Sequence, residues 1–270
     1  CSSQEEDAMS IDNPAMENTC RMVLDATVVG YSDGTDTRVK GTRWEEGDKV
    51  YVRFSSTVYG VGTYTDHEWV FSYTGKLVNI SGAQCAVYYL QGGDVTFNDA
   101  DLTFDGRTGV FNSVSGIFTY ENKFLTVSAT LVPATSRMRF RGEPGTRHRI
   151  LPSESLMSYN HIDLSANKLF SASSELPLTV KEDGLTDYIY VFAEEDASIA
   201  IETSIYKYSG KPLAQSLFKA GASGVIAIPK QSSYEGWHLE KARVAELSGG
   251  WSFNAKLKKL AGGNEDANEM

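Results

Sequence analysis

The stretch HEWVF sets His67 beside Glu68 as a zinc-protease motif would, but no second histidine follows four residues after the first. It also alternates like a strand, where neighbouring side chains point to opposite faces and cannot share one metal ion. His67, His148, His161 and His238 are scattered, and lone histidines are more often surface or turn residues than catalysts. NDADLTFDG carries Asp99, Asp101 and Asp105, which offer the oxygen ligands calcium prefers. Phe104, however, stands at the sixth position, where a calcium loop needs glycine. Turn carboxylates bonded to their own backbone are the plainer reading, with a weak calcium site as the alternative. The adjacent pairs Glu45–Glu46 and Glu194–Glu195 cannot converge as acid and base on a strand. There is no nucleophile elbow, phosphate loop or dinucleotide fingerprint. The chain reads as a non-enzyme, with no metal site and no cofactor.

Two further patterns could make contacts rather than catalyse. RMRFR alternates Arg137, Arg139 and Arg141 with Met138 and Phe140, which puts three guanidinium groups on one face of a strand. A contact stripe for an acidic partner is one reading. The favoured one is a solvent-facing sheet surface, or an edge guarded by charge. Trp44, Trp69, Trp237 and Trp251 could stack on sugars, but isolated tryptophans in β-rich chains more often anchor cores. Cys20 and Cys85 lie in apolar runs. They could pair in an oxidising compartment, and two buried thiols are the slightly favoured alternative.

The elements that would position these residues are strands. RMVLDATVVG, DKVYVRFSS, EWVFSYTG, CAVYYL, GIFTYE and KFLTVSATLV alternate with period two, separated by clusters such as YSDGTD, QGGD, FDGRTG and ENK. The texture resumes in SRMRFRG, LPLTVK, DYIYVFAEE, SIAIETSIYKYSG, GVIAIP and GWSFNAKLKKL. Fourteen tyrosines and twelve phenylalanines suit a pleated, half-buried surface. Only YEGWHLEKARVAELSGG has helical spacing, and it reads equally as a loop feeding a strand. Residues 1–19 are acidic and aperiodic and read as a flexible tether. Pro133, Pro144 and Pro152 punctuate a locally basic run, so the chain divides at about residue 133, with Pro152 as the alternative. The expected organisation is a tether over 1–19, one β-sandwich over 20–133, a second over 134–260 and a polar tail over 261–270.

The net charge of −10 over 270 residues argues against nucleic acid as a partner, since phosphate contacts need clustered Lys and Arg. No run approaches the roughly 20 apolar residues that span a bilayer as a helix. CSSQEED begins without basic or apolar leader character, so Cys1 reads as a processing point.

That opening, with Glu5, Glu6 and Asp7 after the cysteine, resembles mature surface lipoproteins of Gram-negative anaerobes. The segment TDTRVKGTRWEEGDKVYVRF resembles the fimbrillin-like family, with Thr42, Arg43, Trp44, Gly47 and Asp48 matching a Thr-Arg loop and a Trp–x–x–Gly–Asp turn before an apolar strand. LTVSATLVPATSRMRFRG and SGVIAIPKQSSYEGW are looser matches. The resemblance implies a mostly β chain of two tandem transthyretin-like antiparallel β-sandwich domains. It implies acylation at Cys1, an outer-membrane lipoprotein exposed at the cell surface or built into a fimbrium, and other pilus subunits or further copies as partners. In such proteins an Arg-specific protease cuts after the first strand, and a donor strand from the next subunit fills the vacated groove. The implied cleavage residues are Arg38 and Arg43, with Arg38 favoured because Gly34 and Asp36 keep its surroundings open. The implied displaced strand presents Met22, Leu24, Ala26 and Val28 on one face. Without such a protease the strand would stay in place and the protein would act as an anchor or a monomeric surface lipoprotein. The alternative function is a glycan-binding surface lipoprotein.

Overall fold

The structure is a computed structural model. It describes residues 13–32, 39–40, 43–193, 197–203, 206–228 and 238–241. In chain order the first strands are β1 (Asn18–Val29), β2 (Val39–Lys40), β3 (Lys49–Arg53), β4 (Tyr59–Thr65) and β5 (Glu68–Thr74). Then come β6 (Ile80–Gln91), β7 (Thr96–Asn98), β8 (Asp101–Thr103), β9 (Gly109–Glu121) and β10 (Phe124–Pro133). The remainder supplies β11 (Ser136–Arg141), β12 (Arg147–Ile150), β13 (Ser158–Asp163), β14 (Lys168–Ala172) and β15 (Leu176–Thr179). It ends with β16 (Ile189–Val191), β17 (Ser198–Thr203), β18 (Tyr206–Pro212), β19 (Ser223–Ala227) and β20 (His238–Lys241). One 3₁₀ turn, Gln215–Phe218, joins β18 to β19.

The protein is all-β, as period two requires. Tight turns are made by residues that tolerate positive φ: Asp66 and His67 (φ 50° and 66°) between β4 and β5, and Asn122 and Lys123 (φ 50° and 62°) between β9 and β10. These left-handed pairs give the hairpin twist that matches the right-handed twist of the flanking strands.

The strands run β10-β9-β6-β3-β4-β5-β1, and β1 pairs back to β10, so the sheet closes on itself with β2 attached at the end of β1. Inside lie Met22, Val52, Phe71, Val87, Leu125, Val127 and Leu131. Among the described strands, pairing is antiparallel except that β1 runs parallel to β10 and β11 parallel to β19; Ser32 and Ala222 add an isolated parallel bridge. The second core, around Met138, Phe140, Ile150, Ile189, Ile199 and Ile201, takes residues from two sheets, β16-β11-β19 and β15-β12-β17-β18-β20.

The expected division at residue 133 falls between β10 and β11, yet pairing crosses it. The β13–β14 hairpin joins β8 and β7 in one sheet, and Leu102, Ile162 and Leu164 cover the outward-facing Tyr51, Val61 and Tyr88 of the closed sheet. The tether expected over residues 1–19 does not hold for residues 13–19, and residues 1–12 lie outside the described residues. Asn13 and Met16 are buried and β1 begins at Asn18, because Asn13 replaces lost water contacts with backbone hydrogen bonds to the β7–β8 turn. In the stretch with helical spacing, the described residues His238–Lys241 form β20, which pairs with β18.

Candidate functional site

The first strand is held on both edges. Its Arg21–Val28 segment pairs in parallel with Phe124–Leu131 of β10, eight residue pairs in all. On the other edge, Asn18–Met22 pair with β5 and Val28–Val29 with β2. Cys20, Met22, Ala26 and Val28 are buried and Leu24 is half-buried, while Arg21, Val23, Asp25 and Thr27 face outward. Arg21 meets the Glu68 carboxylate at 3.0 Å. Both groups are exposed, so the pair contributes little to stability. A Cβ on Gly62 of β4 would collide with the Met22 terminal methyl, so the glycine makes the space that β1 occupies.

The lead-in to β1 is fixed by Asn13, which behaves like a piece of backbone. Its Nδ2 donates to the Asp99 carbonyl at 3.1 Å, and its Oδ1 accepts from the Asp99 N–H at 3.1 Å and the Ala15 N–H at 3.2 Å. Sequence reasoning placed Asn13 in the tether. The available signal was the NP step at Asn13–Pro14, a turn-initiating pair.

Between β1 and β3, Arg38 lies outside the described residues, and Arg43 is exposed. The Trp–x–x–Gly–Asp turn is built as a closure for this end of the sheet. Gly47 takes φ +89°, where a side chain would be strained, and the Asp48 Oδ2 accepts from the Glu45 N–H at 2.8 Å. The Glu46 carboxylate accepts from the N–H groups of Asp66 and His67 at 3.1 and 3.3 Å, tying the turn to the β4–β5 hairpin. Trp44 packs edge-on to Trp69 and Tyr89, with ring centroids 5.1 and 5.5 Å apart. Trp69 is buried, so these two indoles form a lid over the core and not an open sugar platform. Trp237 and Trp251 lie outside the described residues.

The remaining candidates are engaged structurally. Met138 and Phe140 are buried and the arginines alternate with them, but β11 is the middle strand of its sheet and not a guarded edge. The Arg137 guanidinium sits 4.1 Å from the Tyr188 ring and 4.7 Å from that of Tyr31, and Arg139 lies 4.8 Å from Tyr188. Two of the three arginines are therefore stacked against the body of the protein. Asp101 bonds His161 at 2.6 Å, and Asp105 accepts Arg107 Nη2 at 2.7 Å, which holds the Asp105 carboxyl below its ordinary range despite partial burial. Among the described residues no three His, Cys, Asp or Glu side chains gather as a metal site. Glu194–Glu195 lie outside the described residues. Cys20 and Cys85 are free thiols, pushed up to about 11 and about 12 by burial, so both are protonated at neutral pH. An open depression of about 630 Å³, lined by Arg21, Val70, Lys123 and Phe124 among others, runs over the seam where β1 meets β5 and β10.

No protein-family model matches the chain, and no curated protein does. Among solved structures it is similar to a fimbrial protein from Bacteroides ovatus at 13% identity and a TM-score of 0.37, covering 78% of this chain and 49% of that one. The chain thus spans about half the length of that fimbrial protein. It is also similar to a candidate polysaccharide-binding protein from Bacteroides thetaiotaomicron, at 10% identity, 83% and 98% coverage and a TM-score of 0.42. The fimbrial anchor protein Mfa2 from Porphyromonas gingivalis is similar at 10% identity, 70% and 82% coverage and a TM-score of 0.32.

Proposed function

We propose that the protein is an adhesive component of the cell surface, a pilus subunit or anchor of the fimbrillin-like kind, in which β1 is a replaceable strand. The observation that carries this is the placement of β1. It fills a slot between β10 and β5, it contributes Met22, Leu24, Ala26 and Val28 to the core, and its removal would bare two strand edges over an apolar floor. Such a slot is what β-augmentation requires: main-chain hydrogen bonds from a donor and pockets for alternate side chains. In this reading a protease cuts at Arg38 or Arg43, β1 leaves, and a donor strand from another subunit or another copy enters. The acidic segment ahead of Asn13, acylated at Cys1, holds the protein at the outer membrane; two or more acyl chains would make that attachment stable where one would not. Arg43 is exposed, as a cleavage site must be.

Limited digestion with a trypsin-like protease tests the proposal. The expected result is a first cut between Arg38 and Arg43, followed by loss of the β1 fragment and growth of polymer seen by size-exclusion chromatography and electron microscopy. A nicked chain that stays monomeric with β1 in place, or a first cut elsewhere, would overturn it.

A further inference from the structure

The direction of β1 sets how the protein bears load. We propose that the β1–β10 ladder is a tension clamp, strong against pulling from the N-terminal side and weak against peeling from the opposite end. The inference rests on the reading that the protein is attached through the segment before Asn13, but the mechanical property belongs to the fold.

Because the two strands are parallel, the start of β1 at Asn18 and the start of β10 at Phe124 lie at the same end of the sheet. The chain leaves β10 at Pro133, at the other end, and continues straight into β11 and the second core. Tension applied ahead of β1 and resisted by the second core therefore pulls the two strands in opposite directions along their length. All eight residue pairs from Arg21–Phe124 to Val28–Leu131 are loaded together. The antiparallel pairing of Asn18–Met22 with β5 is sheared in the same way. The inward side chains must also slide past one another, and Met22 is locked over Gly62. Asn13 comes first in line: its hydrogen bonds to the Asp99 backbone let go before the ladder is strained.

From the other end the same bonds are loaded in sequence. Beyond β1, Ser32 is joined to the second core by two backbone hydrogen bonds: its N–H donates to the Gly221 carbonyl at 2.8 Å, and its carbonyl accepts the Ser223 N–H at 3.1 Å. Once these and the short pairing of Val28–Val29 with β2 part, a pull at the end of β1 opens the ladder one pair at a time, starting with Val28–Leu131. A cut in the β1–β3 connection removes the covalent link at this end and leaves those few bonds to hold it. The same strand can thus hold tension from the tether and still yield to an incoming strand that begins at the cut end.

Single-molecule force spectroscopy on the full chain tests the clamp by geometry alone, with no change to the ladder. One handle pair is placed at the N- and C-termini, the other at residue 30 (through a clickable side chain) and the C-terminus. Forced unfolding reports the unfolding barrier, so the N-to-C geometry is expected to give one cooperative rupture of the closed sheet at a force at least about twofold above the residue-30 geometry. Equal forces in the two geometries, or β1 leaving stepwise under N-to-C load, would overturn the clamp. Because the measurement uses purified protein, it is separable from surface attachment. If the force ratio holds but the intact chain shows no surface labelling on cells, the clamp stands and the functional reading falls.

Discussion

Replacing Gly62 with alanine probes the contact between β4 and the inward face of β1. A Cβ there would overlap the Met22 methyl and stand 3.2 Å from Val50 Cγ2 and 3.4 Å from Trp69 Cε3. Met22 is only 4% exposed, so its methyl has little room to swing aside. Gly62 is not among the residues with positive φ, so alanine suits the backbone and gains up to about 1 kcal/mol from a less flexible unfolded chain. Overpacking opposes this at about 1–3 kcal/mol, and the net expectation is a loss of about 1–2 kcal/mol. Met22→Ala alone should cost about 2–5 kcal/mol, the usual range for emptying a buried methionine site. In the double variant the new methyl at 62 enters the space that Met22 vacates, so the combined loss should fall short of the sum by about 1–3 kcal/mol. Urea denaturation of the four proteins, followed by tyrosine and tryptophan fluorescence, gives the cycle. Additivity within about 0.5 kcal/mol would mean that Met22 does not sit on Gly62, and the account of β1 as the filler of this slot would fail.

Asn13→Ala should lower stability by about 1–3 kcal/mol, because it strands the Asp99 N–H and carbonyl, and hydrogen exchange should speed up at Asp99 before it does at β10. Trp44→Ala removes two edge-on ring contacts and should cost about 2–4 kcal/mol in thermal or urea unfolding, without altering retention on any immobilised glycan. His148 supplies a pH dependence: its pKa is held below the ordinary 6.5 by burial, so the folded state favours the neutral ring. Its contribution is fully present above about pH 6.5 and is lost as the pH falls from there through the lower pKa of the folded state, because over that range the unfolded chain binds the proton more readily. Between pH 7.5 and 5.5 the wild type should therefore lose more thermal stability than His148→Gln, and equal losses would exclude His148 as the source. Cys20 and Cys85 should resist alkylation at pH 8 until the protein unfolds, as read by peptide mass mapping.

Strand texture is local and was therefore legible. Alternation alone assigns Met22, Leu24, Ala26 and Val28 to one face, and likewise Met138 and Phe140, since the side-chain period of a strand is fixed by its pleat. The hairpin tip at Asn122–Lys123 was visible in the ENK cluster, but the one at Asp66–His67 was not: HEWVF reads as strand from its first residue, whereas His67 takes the left-handed backbone of the turn and β5 begins at Glu68. What alternation does not encode is the partner of each strand. Leu24 has the same period whether β1 lies beside β10 in parallel or beside β5 alone, so neither the closure of the sheet nor the parallel seam could be read from the sequence. The same holds for the β13–β14 hairpin, whose Ile162 finds its floor on residues more than fifty positions earlier. Asn13 was missed for a related reason: one polar residue beside a proline resembles tether until its distant partner, Asp99, is in view. The arginine stripe was visible as a pattern, but the rings of Tyr31 and Tyr188 that take up two of its members were not.

Strand exchange can be observed directly by native mass spectrometry. The chain is cut in the β1–β3 connection and mixed with an isotopically labelled peptide spanning Asn18–Val29. If β1 is a replaceable strand, the labelled peptide will enter in place of the original fragment, one per molecule, and the Met22→Asp peptide will not. Retention of the original strand under excess peptide, or collapse of the remaining body into aggregate without uptake, would contradict the account.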